Sequence, residues 1–63
     1  MEALTERERK IVQLMGEGYS DVSIALQFHI SAEKLKSFID GIKQKTGLST
    51  RPELEQLGRS EDL

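Results

Sequence analysis

Four helix-start signals punctuate this chain of 63 residues, and they leave little room for anything but helices. Thr5 with Glu8, and Thr50 with Glu53, have the spacing of capping boxes. In such a box the hydroxyl accepts from a first-turn N–H while the carboxylate reaches back to the cap. Ser20 before Asp21 and Ser31 before Glu33 give the other two starts, each a cap hydroxyl with an acid placed favourably against the helix dipole.

The apolar residues fall into step with these starts. Ile11, Val12 and Met15 form the inner side of a first helix, and Ile24, Ala25 and Phe28 the stripe of a short second one. In the third helix, Leu35, Phe38, Ile39 and Ile42 stand at i, i+3, i+4 and i+7, which commits one face to a core. Leu54 and Leu57 belong to a short fourth helix, with Pro52 in a first turn whose N–H groups have no intrahelical partner. Glycine is expected to end the helices: Gly16 or Gly18 the first, Gly47 the third and Gly58 the fourth, with residues 59–63 left as a frayed tail. No segment alternates like a strand and none repeats. The expected architecture is all-α, one domain over residues 1–63.

Between the second and third stripes only about three residues remain, around His29 and Ile30. That is the spacing of a helix-turn-helix. His29 reads as a turn residue and Tyr19 as packing. Gly41 lies inside the third helix, where glycine costs about 0.5–1 kcal/mol relative to alanine; either something approaches it closely or the cost is tolerated.

Composition excludes several functions. The chain has no cysteine, so disulfides and thiolate metal sites are out, and one histidine cannot hold zinc alone. No metal and no cofactor are expected. No apolar run could cross a bilayer and the start, MEALTERERK, is charged, so a cytoplasmic location is expected. With no nucleophile beside a base, no paired carboxylates in a cleft and no phosphate loop, the chain does not read as an enzyme. The net charge of -2 argues against nucleic acid when taken alone. Its distribution argues otherwise: residues 31–50 carry four lysines against Glu33 and Asp40, while both flanking segments are acidic.

Taken in order, LTERERKIV, GYSDVSIA, ISAEKLKSFIDGI and KTGLSTRPEL resemble the LuxR-type, or GerE-type, helix-turn-helix domains of bacterial transcription regulators, over about residues 4–54. The resemblance implies a four-helix domain whose third helix lies in the major groove of double-stranded DNA, and whose fourth helix builds a homodimer through Leu54 and Leu57. Lys36 stands where the family has its usual DNA-contacting lysine. Ser20 and Ser31 would offer hydroxyls or helix N-terminal amides to phosphate, and Lys34, Ser37, Asp40, Lys43 and Gln44 complete the expected DNA-binding set.

The chain also departs from the family. Lys34 replaces the usual threonine, Phe38 the frequent histidine, and Asp40 with Gly41 occupies a stretch that is usually polar or basic. Opposite the apolar stripe of the third helix lie Glu33, Ser37, Asp40 and Gln44, so two acids face the groove. A carboxylate can accept from cytosine N4, yet near phosphates it costs attraction. The alternative reading is therefore a domain of this fold that has lost useful DNA affinity and modulates a related regulator by protein contact.

Overall fold

The computed structural model describes residues 3–60, which fold into four helices: α1 (Glu6–Gly16), α2 (Asp21–Phe28), α3 (Ala32–Thr46) and α4 (Arg51–Arg59). Every helix starts at the residue whose side chain can cap it. Thr5, Ser20, Ser31 and Thr50 each accept from the backbone N–H three residues on, and the Thr5–Glu8 and Thr50–Glu53 boxes close in both directions. Such a cap is worth about 1 kcal/mol, enough to decide a boundary in a short helix.

The ends of α1 and α2 share a Schellman geometry. After α1, Gly18 is left-handed (φ 95°), its N–H donates to the Met15 carbonyl, and the Tyr19 N–H donates to Leu14. After α2 the left-handed position belongs to His29 (φ 57°), with the Ile30 N–H returning to Ala25. Histidine tolerates this conformation better than a β-branched residue would. His29, Ile30 and Ser31 are the whole connection, so α2 and α3 form the tight pair that the spacing predicts. Gly47 (φ 75°) ends α3.

The core is a single cluster. Ile11, Val12, Leu14 and Met15 of α1, Ile24 and Ala25 of α2, Leu35, Ile39 and Ile42 of α3, and Leu54 of α4 are all buried. Leu14 is an addition to the sequence reading. Phe28, Ile30, Phe38, Leu48 and Leu57 pack partly buried around this centre.

The end of α4 differs from expectation. Gly58 does not stop the helix; it lies inside α4, and Arg59 is the last helical residue. The reason is the crossing of α4 over α1. A Cβ on Gly58 would stand 2.0 Å from the Val12 carbonyl oxygen, and one on Gly16 would stand 2.7 Å from the Gly58 carbonyl carbon. Both glycines serve close backbone approach. Arg59 is likewise not part of a frayed tail, since its Nε donates to the Gly16 carbonyl at 3.1 Å. Ser60 caps the helix, its N–H donating to the Leu57 carbonyl at 3.1 Å, and the remaining tail residues, 61–63, lie outside the described residues. Among the described residues no helix is long and apolar enough to cross a membrane.

Candidate nucleic-acid interface

Burying Leu35, Ile39 and Ile42 turns the opposite side of α3 outward. Glu33, Lys34, Lys36, Ser37, Asp40 and Gln44 are exposed and Lys43 is half-buried. The expected residues of α3 are therefore exposed or half-buried around its outward side, with Lys34 and Lys43 about 180° apart at its two edges, and Ser20 and Ser31 are exposed at the starts of α2 and α3. Their hydroxyls have structural work already. Ser20 Oγ accepts from the Ser23 N–H (3.2 Å) and donates to Ser23 Oγ, while Ser31 Oγ accepts from the Lys34 N–H (3.0 Å). Ser37 Oγ donates to the Glu33 carbonyl at 3.3 Å. Ser31 alone of these three keeps its proton to offer a phosphate.

The lysines of α3 divide by role. Lys45 leaves the surface set: its Nζ sits 2.6 Å from Glu8 Oε1, in an ion pair joining α3 to α1. Glu8 is buried, only 6% exposed, and its second anchor is the Thr5 N–H at 2.9 Å. The Lys45 hydrogen bond first, and then the Thr5 N–H, hold its carboxyl below the usual value of 4.5. A Cβ on Gly41 would meet Glu8 Oε2 at 3.7 Å, an ordinary contact, so no close approach requires glycine there. No ion pair among the described residues engages Lys34, Lys36 or Lys43.

Lys36, Asp40 and Lys43 line a cleft of about 380 Å³ that Asp21 of α2 and Arg51 of α4 complete. Arg51, which lies in the stretch KTGLSTRPEL, is not among the expected site residues. Its Nη1 meets Asp21 Oδ1 at 2.5 Å, its Nε meets Glu55 at 3.1 Å, and its Nη2 reaches the Tyr19 carbonyl. One of the two acids in the cleft is thus neutralised from within. Asp40 is exposed and has no ion-pair partner among the described residues.

At another edge of the face Phe38 is half-buried rather than wholly spent on the core. Lys34 Nζ lies 5.8 Å from its ring centroid, and the Arg7 guanidinium of α1 lies 5.7 Å from the same centroid. Both distances are within reach of a cation–π attraction. Nothing in the spacing of the sequence points to Arg7.

The expected dimer residues do not stand together. Leu54 is 0% exposed, because the crossing of α4 on α1 turns it into the core, so it has no surface to give a partner. Leu57 is only half-buried. The large apolar side chains that are exposed, Tyr19, Val22 (65%) and Leu26 (69%), lie on α2 and its approach.

A helix pair closed by a three-residue turn, whose second helix turns a polar, lysine-bearing face to solvent, defines a helix-turn-helix module. The model of the GerE family, described as Bacterial regulatory proteins, luxR family, matches residues 2–57, and the chain belongs to that family. It is thus a LuxR-type DNA-binding helix-turn-helix domain, of a family of transcription regulators rather than enzymes. No curated protein and no solved structure matches the chain.

Proposed function

We propose that the domain docks α3 in the major groove of double-stranded DNA, with Lys36 as the principal contact. Lys34, Ser37, Asp40, Lys43 and Gln44 lie around it, and the cap residues Ser20 and Ser31 lie next to phosphates. One observation carries this reading: Glu33, Lys34, Lys36, Ser37, Asp40 and Gln44 of α3 are exposed while its apolar stripe of Leu35, Ile39 and Ile42 is buried in the domain's own core. A helix held in that way presents a rigid face to a groove. The homodimer that the family implies would rest on α4 through Leu57, without Leu54. A gel-shift titration at low ionic strength tests the DNA reading. Retardation weakened by Lys36→Ala supports it, and no retardation of any duplex at concentrations above roughly 10⁻⁴ M overturns it.

The second reading, a protein-contact module that pairs with a related regulator, draws on exposed Val22 and Leu26. Two large apolar side chains one turn apart on α2 are unusual on a chain this charged. Co-purification of a regulator through that helix, with no duplex bound at low salt, would favour it.

A further inference from the structure

Arg7 and Lys34 belong to different helices, yet their charged ends converge on the ring of Phe38, at 5.7 and 5.8 Å from its centroid. Two like charges drawn to one ring repel each other, and the ring's quadrupole offsets only part of that. Chains usually place an acid beside such a pair. Here Glu8, which lines the same recess as Lys34, Ser37, Phe38 and Gly41, is already engaged by Lys45 and the Thr5 N–H. Among the described residues neither Arg7 nor Lys34 has an ion-pair partner.

The geometry points to an anion supplied from outside: we infer that Arg7 and Lys34, held by Phe38, form a seat for one backbone phosphodiester at the edge of the α3 face. This rests on the DNA reading above and extends the interface to α1. A guanidinium offers planar, forked donors and an ammonium a mobile point charge, a pair suited to the oxygens of one phosphate. Phe38 is the positioning residue. Its ring is the contact the two cations share, and its half-buried side packs against the core.

The test compares charge losses of equal size at different places. Arg7→Gln and Lys34→Gln should each weaken binding to any duplex alike, and each should flatten the dependence of log affinity on log salt by about 0.9. Arg9→Gln removes the same charge about 200° around α1, away from the ring, and should change neither quantity much. Phe38→Leu keeps an apolar side chain in the stripe and should reproduce the loss of slope with a folded protein by circular dichroism. If Arg7→Gln behaves like Arg9→Gln while Lys36→Ala still weakens binding, the phosphate seat is wrong and the groove reading stands. If the parent chain binds no duplex, both fall together.

Discussion

Gly58 of α4 rests against the backbone of Val12 in α1, so closely that a Cβ built on it would stand 2.0 Å from the Val12 carbonyl oxygen. Backbone cannot yield as a flexible side chain does. Gly58→Ala should therefore destabilise the domain by about 1–3 kcal/mol or more, although alanine is the better helix former. Gly41→Ala makes the opposite case within one fold. Its new methyl meets Glu8 Oε2 at 3.7 Å, an ordinary contact, so the helix gains about 0.5–1 kcal/mol. Urea melts of the two variants check both signs, and a Gly58→Ala protein as stable as the parent would dismiss the crossing.

The sequence showed the helices well because caps and apolar periods are local. A hydroxyl three residues before a glutamate states its business within one turn, and Thr5, Ser20, Ser31 and Thr50 each start a helix as read. What the sequence hid depends on contacts between distant residues. Lys45 is 37 positions from Glu8, and Arg51 is 30 from Asp21, so periodicity counts both bases as surface charge. Gly58 looked like a helix stop for the same reason: a glycine needed for close approach and a glycine needed for a left-handed turn are the same letter. The open face of α3 was legible, since an exposed stripe is the complement of a buried one.

The Glu8–Lys45 pair predicts a pH dependence with a definite sign. The folded pKa of Glu8 lies below its usual value of 4.5, so the pair stabilises the fold above that value and the contribution is lost as pH falls through the lowered folded pKa. Lys45→Met leaves the carboxylate buried with only the Thr5 N–H and should cost about 1–3 kcal/mol at neutral pH. The deficit should shrink once Glu8 is protonated in both proteins. Denaturation of parent and variant over a series of pH values from 7 downward measures it, and a deficit that never shrinks with acid would mean the Glu8 charge is not what Lys45 stabilises.

Association through α4 is the weaker limb of the functional proposal, because Leu54 is buried within the domain. If Leu57 seeds a two-fold interface, the same patch must serve both copies. Sedimentation equilibrium should then show a dimer that Leu57→Glu dissociates, with melting followed in parallel since Leu57 also touches the core. A parent chain that stays monomeric at high concentration excludes this surface.

Charge on the exposed side of α3 gives the most direct test of the proposed function. Lys36 is exposed and has no ion-pair partner among the described residues, so a contact to DNA would use its full charge; Lys36→Ala should weaken duplex binding by about 1–3 kcal/mol if it reads a base, or lower the salt slope by about 0.9 if it meets a phosphate. Asp40 lines the same cleft and stands one turn further along α3. Unlike Asp21, it has no arginine to cancel it. Asp40→Asn should therefore strengthen non-specific binding at low salt, with the advantage fading as ionic strength rises and the charges are screened. The two substitutions move affinity in opposite directions only if both side chains face the duplex. Fluorescence anisotropy at two salt concentrations reads both effects, and an Asp40→Asn protein with unchanged affinity beside a weakened Lys36→Ala would place Asp40 outside the groove.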